Sequence, residues 1–70
     1  MLVQFGVIYT GKVRPWRITE LRGEGDVLEQ GFMVSDHPTK KAAVDKAQEY
    51  KASYKEAFPE DEVRVVVEGA

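Results

Sequence analysis

SDHPTKKAA, residues 35–43, is where the chain changes period, and the fold turns on it. Pro38 biases His37 away from helical angles, and Thr39 is suited to cap the free amide groups of a helix that starts just after it. Downstream, Ala43, Ala47, Tyr50, Tyr54 and Phe58 recur at helical spacing, and Val44 and Ala57 widen the stripe. This predicts an amphipathic helix of about 19 residues, ~30 Å long, ended by Pro59.

Upstream the period is two. In residues 2–10, Val3, Phe5, Val7 and Tyr9 share one face, while Leu2, Gln4, Gly6, Ile8 and Thr10 share the other. Because Leu2 and Ile8 make the second face partly apolar, this first strand is expected to be central in its sheet. Thr10-Gly11-Lys12 reads as a turn and residues 13–22 as a second strand, with Pro15 placing its start at an edge or a bulge. GEGD, residues 23–26, reads as a hairpin loop. A third strand over 27–35 is expected to set Leu28, Phe32 and Val34 on one side and Val27 and Met33 on the other. EVRVVVE, residues 62–68, reads as a last strand, with Val63, Val65 and Val67 opposite Arg64, Val66 and Glu68.

The order is β-β-β-α-β, an α+β fold expected to form a single domain over residues 1–70. A meander followed by a helical crossover predicts a four-stranded mixed sheet in the order 3-2-1-4, the last strand parallel to the first, with a right-handed crossover and one long helix packed on one face. A chain of 70 residues buries only ~60% of its unfolded surface and draws ~3–5 kcal/mol from its core. One helix covers one face. The other is expected to show Leu2, Ile8, Val27, Met33 and Val66 to water, more apolar surface than a solvated sheet carries, so another protein or an identical subunit is expected there.

Composition narrows the classes. At 43% hydrophobic and 31% charged the chain is ordinary for a globular protein. It has no cysteine, which excludes disulfides, thiolate metal sites and cysteine nucleophiles and fits a reducing, cytoplasmic location. No apolar run approaches a bilayer-spanning length, and the start MLVQFGVIYTGK lacks a basic n-region and a small-residue cleavage site, so neither membrane insertion nor export is expected.

Chemistry is sparse. His37 stands alone, and Glu60-Asp61-Glu62 lacks the alternating ligand spacing of a calcium loop. Gly23-Glu24-Gly25 joins two strands and opens no helix, so it is a turn and not a phosphate loop. Ser35 and Ser53 have no base expected beside them. An enzyme is therefore not expected, and no cofactor, metal or small-molecule substrate is implied. Lys40 and Lys41 oppose the helix macrodipole by a few tenths of a kcal/mol each, a sign that a bound anion would reverse.

A net charge of −2 argues against bulk electrostatic attachment to nucleic acid, yet the charge is segregated. Residues 1–22 hold Lys12, Arg14, Arg17 and Arg22 against Glu20, while residues 24–36 hold Glu24, Asp26, Glu29 and Asp36 with no base. VRPWRI, residues 13–18, therefore has two readings. Either Trp16 and Ile18 pack under the helix against Phe5, Phe32, Tyr50 and Tyr54, or Arg14, Trp16 and Arg22 share an exposed face able to lie in a groove or stack on bases. Three strands followed by a helix, with W-R-I on the second strand and T-K-K-A at the helix start, resembles the small sheet-plus-helix domains of the AP2 type and the arm-binding domains of tyrosine recombinases. The resemblance spans residues 1–58, and it implies that Arg14, Trp16, Arg17 and Arg22 contact DNA through the sheet.

The expectation from the residues is a small binding or regulatory module, self-associating or held to another protein, of the kind bacteria and phages encode as free-standing chains. The alternative is a nucleic-acid-binding module using Arg14, Trp16, Arg17, Arg22, Lys40 and Lys41.

Overall fold

The computed structural model describes residues 1–24, 27–29, 31 and 33–68. Its elements are β1 (Leu2–Tyr9), β2 (Trp16–Glu24), β3 (Val27–Glu29), β4 (Met33–His37), α1 (Lys40–Ala57) and β5 (Glu62–Val67). The fold is α+β, with one helix on a mixed sheet in the order β3-β2-β1-β5, and β4 also paired to β2. The expected strand order holds, and the central place of β1 with it. β1 pairs antiparallel with β2 and parallel with β5.

Several boundaries differ from expectation, among them the far end of the second strand, which runs on to Glu24 through the first half of the loop expected at 23–26. The second strand begins at Trp16, not at residue 13, because Pro15 has no N–H to give a ladder. Thr10 closes the connecting loop instead: its backbone N–H donates to the Pro15 carbonyl at 2.6 Å and its hydroxyl at 3.0 Å. Gly11 takes the turn at φ +74°, a value that side chains resist.

The third strand is two strands. β3 pairs with the far end of β2 through Arg22–Glu29, Gly23–Leu28 and Glu24–Val27, and β4 with its start through Trp16–His37, Arg17–Asp36 and Ile18–Ser35. The next pair, Thr19–Met33, skips Val34, which bulges out of the ladder and is exposed. The register also steps by one between the Arg22–Glu29 and Thr19–Met33 pairs, and each step reverses the alternation, so the expected sidedness of residues 27–35 fails. Leu28 pairs with Gly23, which itself pairs with Leu2, and so lies on the face away from the helix. Val27 pairs instead with Glu24, in the other row. Met33 pairs with Thr19, in the row of the open face; the side chains of Val27 and Met33, and all of Phe32, lie outside the described residues. At Gly31 a Cβ would overlap the Glu20 carbonyl oxygen, so only glycine fits where the split strand passes β2.

α1 behaves as its pattern dictates. The Thr39 hydroxyl accepts the Ala42 N–H at 3.1 Å, and the Phe58 N–H closes the far end on the Tyr54 carbonyl. Ala43 and Ala47 are fully buried, and with no side chain beyond Cβ they let the helix backbone come down on the sheet. Beneath lie Val3, Phe5, Val7, Trp16, Ile18 and Val63, with Val44, Tyr50, Tyr54 and Val65 around them. The apolar stripe runs past the end of the sheet: Ala57 is exposed and so is Phe58, whose ring leans on Tyr54 at 4.9 Å.

Ile18 is completely buried under α1, so Ile18→Ala is expected to cost about 2–5 kcal/mol, most of what a domain this small has. Thr39→Ala, which removes only the cap, is expected to cost about 1 kcal/mol. Urea unfolding followed by circular dichroism measures both.

Candidate interaction face

Trp16 is 8% exposed. The packed reading of VRPWRI is therefore the one the fold adopts, with a change of partner. Phe5 meets Tyr50 and Tyr54, at 5.9 and 6.4 Å, while Trp16 meets Tyr9 edge-on at 5.2 Å. Lys40 lies 5.7 Å from the Trp16 ring centroid and closes over it from the first turn of α1.

The basic residues of the alternative reading do not share a surface. Arg14 is exposed in the loop before β2. Arg22 is on the helix side, where its Nε donates to Glu20 at 3.0 Å and its guanidinium sits 5.7 Å from the Tyr54 ring centroid. Arg17 alone reaches the opposite side of the sheet, because strand residues alternate. Lys41 pairs with Asp45 at 2.7 Å. The structure thus gathers Trp16 and Lys40 and separates Arg14, Arg17 and Arg22.

The face opposite α1 carries a connected set. Along β1 it presents Leu2, Gln4, Gly6 and Ile8; along β2, Arg17, Thr19 and Leu21; along β5, Glu62, Arg64 and Val66. Leu28 joins from β3 and Asp36 from β4. Leu2, Ile8, Leu21, Leu28 and Val66 are all half-buried, and among the described residues no helix or strand lies over them. Of the five residues expected here, Leu2, Ile8 and Val66 are found on this face. Leu21 was missed although its spacing to Arg17 and Thr19 puts it on this face, and Leu28 was hidden by the register step between β3 and β4.

Two polar pairs lie on this face. Arg17 Nε donates to Asp36 Oδ1 at 3.0 Å, and Arg64 Nε donates to Gln4 Oε1 at 2.8 Å. The hydrogen bond from Arg17, and its charge, hold the Asp36 carboxyl below its ordinary value. Gly6, at the centre, leaves a dip floored by backbone, and a Cβ there would meet only Thr19 Oγ1, at 3.4 Å.

One polar group runs against expectation. Ser35 does have a base beside it: its Oγ is 2.7 Å from His37 Nε2, and Tyr50 Oη donates to it at 3.3 Å. The signal was in the sequence, since residues two apart on a strand face the same way. Ser35 and His37 are half-buried at the rim of the core, and the three side chains tie β4 to α1. Among the described residues there is no group of three or more side chains suited to hold a metal, and no helix is long and apolar enough to cross a membrane.

Because Asp36 is favoured as the carboxylate in the folded state, its contribution is complete above the ordinary carboxylate range and is lost as pH falls through the lowered value. Asp36→Asn is therefore expected to flatten part of the acid limb of the melting-temperature curve between about pH 5 and pH 2, as thermal melts across that range would show. Comparison of the chain with protein-family models, with curated proteins and with solved structures returned no match.

Proposed function

We propose that the protein works by binding and not by catalysis, and that it meets another protein or an identical subunit on the face of the sheet opposite α1. One observation carries this reading: Leu2, Ile8, Leu21, Leu28 and Val66 form a half-buried apolar surface across four strands, while the one helix lies on the other side. Antiparallel sheets with a solvated face normally place polar residues there. Four of the polar side chains on this face are already paired, Arg17 with Asp36 and Arg64 with Gln4, which lowers the desolvation cost of covering it. Occupancy by a partner removes the apolar area from water at roughly 25 cal/mol per Å².

The alternative, a nucleic-acid-binding module in the manner of the domains it resembles, has less support. Its stacking residue is under α1 and its arginines are dispersed, with Arg17 and Arg22 each engaged by a carboxylate.

Ile8→Lys and Leu28→Glu place charge on the face without touching the core. Both are expected to abolish self-association, or binding to a co-purifying protein, as read by light scattering across a concentration series, with melting temperature unchanged. A wild-type chain that stays monomeric and partnerless, or an association indifferent to both substitutions, overturns the proposal. Titration with labelled duplex and single-stranded DNA is expected to show no binding at low salt. Binding that weakens steeply with salt and is lost in Arg14→Ala/Arg17→Ala would support the alternative instead.

A further inference from the structure

The sheet has two edges, and the chain treats them differently. On the β3–β4 side the edge is broken into two short strands separated by a register shift, with Val34 bulged from the ladder. Interruptions of this kind discourage pairing with another strand. β5 ends the strand order on the other side and has neither a proline nor a glycine within Glu62–Val67. Its sequence, EVRVVV, is among the strongest strand formers in the chain.

The backbone of β5 is set for a further strand. The Glu62 N–H donates to the Met1 carbonyl and the Glu68 N–H to the Val7 carbonyl. In a parallel ladder alternate residues turn both backbone groups to the same neighbour. Residues 62, 64, 66 and 68 are therefore engaged with β1, and Val63, Val65 and Val67 direct their N–H and C=O groups outward. Val67 is also 41% exposed and Val65 half-exposed on the helix side.

We propose that this edge pairs antiparallel with β5 of a second copy of the chain, across a two-fold axis at Val66. The register follows from charge. With Val66 opposite Val66 of the second copy, Arg64 stands opposite Glu68 and Glu68 opposite Arg64, and Val65 meets Val67 twice on the helix side. The Val65–Val67 pairs are those whose backbone groups point outward, so they form the hydrogen-bonded pairs. The Arg64–Glu68 pairs then fall at the positions between them, where facing side chains come closest. Sliding the strands one pairing toward Glu62 sets Glu62 against Glu68, and a further step sets Arg64 against Arg64; like charges directly opposite disfavour both. The second copy is thus specified by complementarity that β5 carries within itself. The product is one continuous sheet through both copies with both helices on the same side. This concerns the edge and stands apart from the open-face proposal, because an edge pair leaves that face free.

Sedimentation velocity from about 10 μM to about 1 mM tests it. Wild type is expected to show a weak monomer–dimer equilibrium. Arg64→Glu and Glu68→Arg, each creating two like-charge pairs, are expected to weaken it by about tenfold, and mixing the two variants is expected to restore association, since each then faces its opposite. Val65→Pro, which removes an outward N–H and no bond to β1, is expected to abolish the dimer while the melting temperature shows the fold retained. A wild type monomeric throughout overturns the proposal. So does a dimer that survives Val65→Pro, or one that the charge variants and their mixture leave unchanged. If such a dimer is instead lost in Ile8→Lys or Leu28→Glu, it forms through the open face, and the edge proposal fails while the other stands.

Discussion

The depth to which α1 settles on the sheet governs what the molecule can be. Ala43 and Ala47 are fully buried, and nothing but their methyl groups separates helix backbone from strand. That close approach lets one 18-residue helix cover Val3, Phe5, Val7, Trp16, Ile18 and Val63 together. Aromatic rings then seal the sides, Tyr50 and Tyr54 along Phe5, and Tyr9 against Trp16. Among the described residues every fully buried apolar side chain belongs to this contact, and no second layer covers the other face.

The polar groups follow from the same geometry. Around the far end of the helix, Tyr54 donates to Asp61 and carries Arg22 against its ring; burial, then that hydrogen bond, push the Tyr54 phenol above its ordinary value. Near its start, Tyr50, Ser35 and His37 form a chain across to β4. These groups ring the core on the helix side and stabilise the docking of α1. On the opposite face the pairs Arg17–Asp36 and Arg64–Gln4 lie flat among the leucines, isoleucine and valine. Polar chemistry on one side closes a core; on the other it leaves apolar surface between two polar pairs.

Much of this was legible in the residues, and the exceptions share a cause. The helix from Thr39 to Pro59, the central β1 and the parallel β5 follow from period and from the proline and cap signals, which are local. The burial of Trp16 was one of two readings that local pattern could not separate, because either face of β2 carried basic residues beside an aromatic or aliphatic one. What decided it was the register to β1, in which Trp16 meets Tyr9 and Ile18 meets Val7. The split of the third strand was not legible at all. A bulge at Val34 depends on where β4 must stand to feed α1, and no spacing within residues 27–35 encodes that. Leu28 lies on the open side because the register also steps by one between β3 and β4, so the open face was expected in kind, but Val27 falls in the other row and Leu21 and Leu28 were missed.

The pairing of β1 with β5 joins residues about sixty positions apart, Leu2 with Glu62 and Val7 with Val67. Until the last strand is in place, the most apolar strand of the protein has a naked side. A nascent chain still short of β5, or one trimmed by a protease at the Phe58–Asp61 turn, would hold a nearly finished domain with its central ladder open. Such a species leaves the open ladder of β1 to pair with another extended segment, so closure of the sheet hinges on β5, Glu62–Val67, being in place.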